Sequence, residues 1–211
     1  MESSVSHQIA AKLLQIEAIR LSLESPFTWA SGWKSPIYCD NRLSLSYPDI
    51  RDFIKIELKL LIERAFPATE AIAGVATAGI PQGALVADAL GLPFLYVRSK
   101  PKGHGMTNMI EGVAQPGQRV VLVEDLISTG GSSIKAALAL RDANIDVLGM
   151  VSIFTYGFDI AAQNFANEGI KVATLSNYND MIEEAVASNY VSEREVESLK
   201  AWRQDPASWQ G

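Results

Sequence analysis

Apolar residues change their spacing along this 211-residue chain, and each change predicts a different kind of element. Ile9, Leu13, Ile16 and Ile19 recur at helical intervals, which predicts an amphipathic helix over roughly residues 7–23. FTWASGWKSPIYCDNR, Phe27 to Arg42, then sets two short aromatic and β-branched segments around Ser31-Gly32, the pattern of a hairpin-like pair. Pro48 and Asp49 open a second helix with Ile50, Ile54, Leu58 and Leu61 on one face, ending near Pro67.

Beyond Pro67 short apolar runs alternate with helical stretches. The runs are AIAGVA, PFLYV, VVLVE, VLGMVSIF and KVATL; the helices follow Gly79 and Gly131 and cover residues near 159–167. Unbroken apolar runs separated by helices indicate a parallel sheet covered on both faces. The expected fold class is therefore α/β, an open, mostly parallel sheet of about five strands flanked by helices, with a small N-terminal appendage. Near the end, Ser192 and Glu195 form a capping-box pair, and Val196, Leu199 and Trp202 share one face of a packing helix. The expected division is residues 1–46 as N-terminal helix and appendage, 47–175 as core, and 176–211 as C-terminal helices.

Composition narrows the class. Hydrophobic residues make up 48% and charged residues 20%, as in ordinary globular proteins. No run approaches the roughly 18 apolar residues of a spanning helix, and MESSVSHQ lacks the basic-then-apolar pattern of a signal peptide. A single cysteine, Cys39, excludes an intramolecular disulfide and fits a reducing, cytoplasmic setting. A net charge of −6 gives no general attraction for nucleic acid, so any bound anion must be held locally.

That requirement leads to VVLVEDLISTGGSS, Val120 to Ser133. Ligands of open parallel sheets sit at the carboxyl ends of the strands, which here is where Glu124 and Asp125 stand. Ser128, Thr129, Gly130, Gly131 and Ser132 then lead into a helix. Backbone N–H groups, hydroxyls and a helix N-terminus make a phosphate cradle, and glycine lets the backbone approach. A Walker loop is excluded because Ser132, not lysine, follows Gly131, and no GxGxxG is present. Two adjacent carboxylates would repel the same phosphate; they suit vicinal hydroxyls and, through water, magnesium. A ligand with both a phosphate and a diol is a phosphorylated sugar.

Four aliphatics, Glu-Asp, two more aliphatics and Ser-Thr-Gly-Gly-Ser resemble the phosphoribosyl pyrophosphate signature of the type I phosphoribosyltransferases. In that resemblance Glu124, Asp125, Leu126, Ile127 and Ser128 to Ser132 border the ribose and its phosphate. YVRSKPKGHGMTN, Tyr96 to Asn108, resembles the flexible catalytic loop of the orotate members, in which basic residues reach a neighbouring site across a homodimer. Arg98, Lys100, Lys102 and His104 are the residues carried over, with Lys102 or His104 as proton donor to the leaving pyrophosphate. Ser99 stands where many relatives carry a second lysine.

FTWASGWKSPIYCDNR is similar to the same members' base-binding hood, which places Ser31, Gly32, Lys34, Ile37 and Tyr38, with Ser128, around orotate. Ala30 stands where some relatives have a base-contacting lysine. AGVATAGIPQG, Ala73 to Gly83, resembles the family's pyrophosphate loop, with Thr77, Ala78 and Gly79 as donors and a cis peptide at Ala76–Thr77. The resemblance, running from about residue 20 to residue 160, implies a type I fold. It also implies a magnesium-dependent transfer of the 5-phosphoribosyl group to orotate, giving orotidine 5′-monophosphate and pyrophosphate for pyrimidine synthesis. No nucleic-acid or membrane partner is expected. The alternatives are a purine phosphoribosyltransferase, which builds its hood differently, and a regulator that senses phosphoribosyl pyrophosphate, for which a basic face is missing.

Other residues read as structural. His7 has no partner at metal-ligand spacing, Cys39 is expected as a packed hairpin residue, and Trp29, Trp33, Trp202 and Trp209 as packing or interface residues. Arg42 and Tyr156 are undecided neighbours of the base.

Overall fold

In a computed structural model of the chain, residues 4–29, 33–100 and 109–209 are described. The apolar runs become the strands β5 (Ala71–Val75), β6 (Phe94–Val97), β8 (Arg119–Ile127), β9 (Asp146–Thr155) and β10 (Val172–Asn177). They join one six-stranded sheet in the order β10-β9-β8-β5-β6-β7. Its sixth strand, β7 (Ile110–Glu111), is a two-residue edge that pairs antiparallel with β6, while every other pair is parallel. Two residues are too few to produce a period, which is why about five strands were expected.

Alternation along these strands sorts their side chains into two cores. Ile72, Val121, Val123 and Val151 face one way and Ala71, Ala73, Val120 and Leu122 the other, all at most 2% exposed. The first face is covered by α1 (Val5–Gln15), α2 (Pro48–Ala65), α3 (Gly79–Leu90), α6 (Tyr178–Ala187) and α7 (Glu193–Gln204). The second is covered by α4 (Gly131–Asp142) and α5 (Asp159–Asn167). The stripe of α2 is the expected one at Ile50, Ile54 and Leu58, but Ile62 completes it in place of Leu61, which is only half-buried. Both arms of the Ser192–Glu195 capping box form at the start of α7.

Two N-terminal expectations are corrected. The first helix does not reach residue 23: it ends at Gln15, Ile16 caps it, and Glu17 takes a left-handed conformation at φ 55°. Ile19 then belongs to a strand, β1 (Ile19–Leu21), in which Ile19 is buried and Arg20 exposed. A period of two had been read as a continuation of the helical one. The hairpin-like pair is likewise two ladders: β2 (Phe27–Thr28) pairs with β3 (Lys34–Ser35), whereas β4 (Ile37–Cys39) returns to β1 through Ile19↔Cys39 and Leu21↔Ile37. Pro36, which has no N–H to donate, separates β3 from β4. A 3-10 turn, Asn41–Ser46, then leads into α2.

Candidate active site

The strand order places the site. From β5 the chain crosses through α3 to β6 on one side, and from β8 through α4 to β9 on the other, so the connections diverge between β5 and β8. At such a switch point the loops part and leave a crevice beyond the strand ends. Two helix N-termini open there. Neither α3, capped by Ala78, nor α4, capped by Gly130, has a side-chain hydrogen bond at its cap. Uncapped first turns keep backbone N–H groups and the positive end of the dipole available to an anion.

Glycine sets how closely these helices approach. A Cβ on Gly79 would lie 2.3 Å from the Val123 carbonyl oxygen, so only glycine lets α3 start against β8 one residue before Glu124. Gly130 takes φ +82°, and a Cβ there would meet the Phe165 ring at 2.7 Å. Both the conformation and the space below the turn require a residue without a side chain. Asn164 steadies this turn by donating from Nδ2 to the Thr129 carbonyl at 3.1 Å.

Strand β8 does not stop at Glu124 as the sequence suggested; it runs on to Ile127, held by Leu126↔Phe154 and Ile127↔Thr155. The two acids therefore lie inside a paired strand, with their carboxyls within hydrogen-bond reach of one another. Glu124 is only 6% exposed, and its Oε2 accepts from the Ser133 hydroxyl at 3.0 Å, while its Oε1 accepts the Asp125 N–H at 3.1 Å. Burial, and then the adjacent Asp125 charge, raise the Glu124 carboxyl well above its usual range. Burial also raises Asp125, opposed by the hydrogen bond it accepts from Glu124. Both shifts run the same way, so the pair favours holding a proton. Ser133 lay just beyond the Ser128–Ser132 run read from the sequence; its signal was its place three residues past Gly130, where a side chain turns back toward the strand.

The remaining residues of the two turns, at the starts of α4 and α3, are arranged as follows. Ser128 is half-buried and Thr129 exposed, and the Ile127 side chain is buried, with its carbonyl accepting from Tyr156 N–H at 3.1 Å. Gly131 and Ser132 are exposed at the start of α4. On the β5 side, Ala76–Thr77 is a cis peptide, Thr77 is exposed and Ala78 half-buried.

The basic segment spans β6 to β7. Arg98 N–H donates to the Met109 carbonyl at 2.8 Å, and its guanidinium pairs with Glu111 at 3.2 Å, closing the base of the loop. Lys100 is exposed, and Lys135 of α4 donates to the Ser99 carbonyl at 3.2 Å. Lys102 and His104 lie outside the described residues, as do Ser31 and Gly32 of the N-terminal segment.

Beside the Ser128–Ser132 turn is a cavity of about 560 Å³. Trp29, Trp33, Tyr38 and Tyr156 line one side, Leu126 and Ser128 another. Tyr38 is set by Phe27, with ring centroids 5.6 Å apart, and by the Arg20 guanidinium 5.1 Å from its ring. Lys34 does not line the cavity but is exposed beside it, its Nζ donating to Oγ1 of the lining residue Thr28 at 3.2 Å. Ile37, read as part of the apolar face, is instead fully buried in the core beneath β4, because neighbours in a strand face opposite ways. Tyr38 alone of that pair reaches the cavity. A larger open groove, about 770 Å³, lies between α6 and α7, but none of the acidic pair, the glycine turn or the hood lines it.

Sequence reasoning missed several cavity residues. Trp29 and Trp33 were read as packing or interface residues, yet both line this wall. Cys39 lines it too; its thiol donates to Asn41 Oδ1 at 3.4 Å, and Asn41 Nδ2 donates to the Asp125 carbonyl at 2.8 Å. Burial pushes that thiol up, which argues against a nucleophile. Arg42 is held by Asp40 in a two-point pair at 2.6 and 2.8 Å. His7 is remote from the crevice, pairing with Glu183 at 3.2 Å on α6. With Asp180 these make a three-residue group within ligand reach. Asp180 is already satisfied by Ser6 and Asn177, so the group serves as a clamp between α1 and α6.

Residues 49–186 match the phosphoribosyl transferase domain model. The chain is 58% identical over 202 residues to orotate phosphoribosyltransferase of Cytophaga hutchinsonii, covering 96% of this chain and 97% of that protein. Among solved structures it is similar to Leishmania donovani UMP synthase, with a TM-score of 0.79 and 27% identity. That match covers 94% of this chain and 42% of the synthase, so the chain spans less than half of the larger protein. Orotate phosphoribosyltransferase from Aeropyrum pernix matches with a TM-score of 0.72 and 26% identity, over 83% of this chain and 98% of that one.

Proposed function

This chain belongs to the orotate phosphoribosyltransferases, and from that membership we propose how its crevice carries out the transfer. The reaction moves the 5-phosphoribosyl group from phosphoribosyl pyrophosphate to orotate, releasing pyrophosphate. One observation supports the assignment of parts most directly: a paired strand carries Glu124 and Asp125 up to an uncapped helix N-terminus, with an aromatic cavity alongside.

The 5-phosphate sits on the Ser128–Ser132 turn, held by backbone N–H groups, by the hydroxyls of Ser128, Thr129 and Ser132, and by the dipole of α4. Leu126 and Ile127 contribute backbone beneath the sugar. Glu124 and Asp125 accept from the ribose 2′- and 3′-hydroxyls, the neutral partners a crowded, desolvated acid pair tolerates best. Thr77, Ala78 and Gly79 hold pyrophosphate at the start of α3. Arg98, Lys100, Lys102 and His104 neutralise it as it departs, and Lys102 or His104 gives it a proton. Orotate occupies the cavity, with Tyr38 on its face, Ser31, Gly32 and Ser128 at its edge and Lys34 toward its carboxylate.

Displacement at the anomeric carbon builds positive charge on the ribose, so catalysis is positioning plus charge stabilisation. The carboxylate oxygens of Glu124 and Asp125 suit magnesium as outer partners of a substrate-held ion. When bound, magnesium neutralises pyrophosphate charge and makes it a better leaving group. A homodimer in which the loop between Arg98 and Met109 serves the neighbouring site belongs to the same reading, as does a cytoplasmic setting. No described helix is long and apolar enough to cross a membrane.

The test is direct. Purified protein mixed with orotate, phosphoribosyl pyrophosphate and magnesium should deplete the ultraviolet absorption of orotate. Turnover with hypoxanthine, xanthine or adenine and none with orotate would overturn the assignment.

A further inference from the structure

Tyr156 occupies an unusual position in the cavity wall. It is only 2% exposed, its hydroxyl makes no hydrogen bond among the described residues, and that oxygen is not fully buried, so it opens on the cavity that Tyr156 lines. The comparison with Tyr178 is instructive: that ring is 1% exposed, and its hydroxyl donates to the Leu199 carbonyl at 3.0 Å, the ordinary way to bury a phenol. On the same strand end, Phe154 and Phe158 flank Tyr156 at alternate positions and carry no hydroxyl. Packing alone at position 156 would be met by phenylalanine, so the hydroxyl at the cavity is what tyrosine adds.

The ring is also fixed in direction. It stacks on Phe158 with centroids 5.5 Å apart and lies 5.2 Å from Trp29, with Phe154 and Trp202 edge-on at 5.8 Å each. Its backbone is held from both sides, by its N–H to the Ile127 carbonyl and by Arg203 Nε to its own carbonyl at 3.1 Å. Held this way, the ring keeps its place in the cavity wall. Its nearest electrostatic neighbours include Cys39, Asp125 and Tyr38, which border the cavity and the acid pair. Burial, then Cys39, keep the phenol protonated across the neutral range.

We propose that the Tyr156 hydroxyl is a specificity-determining donor, giving its hydrogen to a ring carbonyl oxygen of the planar pyrimidine acid bound in this cavity. The inference rests on the cavity being the orotate site. It adds a neutral, pre-aimed donor in the wall to the cation exposed beside the cavity. Rigid donors set in an apolar wall discriminate strongly, because a ligand that lacks the matching acceptor leaves the donor unpaired.

Tyr156→Phe removes one oxygen and keeps every ring contact. The expected result is a KM for orotate raised about tenfold, the value of one lost hydrogen bond, with the KM for phosphoribosyl pyrophosphate and kcat changed by less than about threefold. The melting midpoint should hold or rise. A second measurement needs no variant: orotate analogues with each ring carbonyl oxygen replaced in turn by sulfur, a weak acceptor, are tested as competitive inhibitors of the unaltered enzyme. One of the two should bind markedly more weakly, and that difference should vanish in Tyr156→Phe. An active variant with unchanged KM for orotate, or equal binding of both analogues to the unaltered enzyme, overturns the proposal. Failure of the unaltered protein to use orotate would instead sink the reading of the cavity itself.

Discussion

The indole nitrogen of Trp202, in the C-terminal helix, donates to the carbonyl of Lys34, in the N-terminal hood, at 3.1 Å. Trp202 is completely buried, and its ring packs against Trp29, Tyr156, Phe158 and Tyr178 at centroid distances of 5.5 to 5.8 Å. The last helix thus reaches through the aromatic cluster that backs the cavity and ties down the strand bearing Lys34. Sequence periodicity showed only that Trp202 packs; the structure shows that it packs on the aromatic wall of the cavity proposed for the base.

Trp202→Ala should therefore affect two properties. Loss of a buried indole costs about 3–5 kcal/mol of folding stability, readable by denaturant unfolding. The KM for orotate should rise more than the KM for phosphoribosyl pyrophosphate, since the hood loses its tether. Equal changes in both constants would show that the helix acts on stability alone.

Asp125→Asn keeps the shape and the backbone hydrogen bond to Asn41 while removing the carboxylate charge. Turnover should fall by about a hundredfold, a few kcal/mol of transition-state stabilisation. Circular dichroism should be unchanged, and the melting midpoint at neutral pH should hold or rise, because Glu124 loses a neighbouring like charge. A variant with undiminished turnover would contradict the assigned role.

The acid pair makes stability depend on pH. Glu124 has a folded pKa raised above its unfolded value near 4.5, so the folded state binds the extra proton. Stability is then fullest below about pH 4.5 as far as this group is concerned, and is lost as pH rises from there through the raised folded value. Glu124→Gln should remove that slope and raise the melting midpoint at neutral pH. Thermal melts of both proteins across pH 5 to 9, without substrate, would measure it.

Gly79→Ala places a methyl 2.3 Å from the Val123 carbonyl oxygen, where backbone and not a flexible side chain must yield. The strain should cost about 1–3 kcal/mol, and because α3 would tilt away from β8, activity should drop as well. Gly131→Ala is the control: nothing lies within 4 Å of that Cβ, so its stability should be nearly unchanged.

Local spacing was enough for much of this molecule. The five apolar runs, the helices beginning at Gly79 and Gly131 and the helix at Asp159–Asn167 were legible because each repeats one period over several residues. So was the acidic pair before the glycine turn, since adjacent carboxylates ahead of small residues suit few purposes in a core. The N-terminal misreading has the same origin. Ile16 and Ile19 keep a helical interval across a turn at Glu17 that no interval can reveal.

What the sequence determined by itself was the α/β class and the acidic pair set ahead of a glycine turn at a helix start, because both are written in neighbouring residues. Only the tertiary structure decided that β4 pairs back to β1, that Ser133 secures Glu124, that Ile37 faces the core, and that Tyr156 meets the cavity with a free hydroxyl. The physical reason is chain distance. Lys34 and Trp202 are 168 residues apart, and a contact of that kind is fixed by how the whole sheet and its helices close, not by any pattern near either residue.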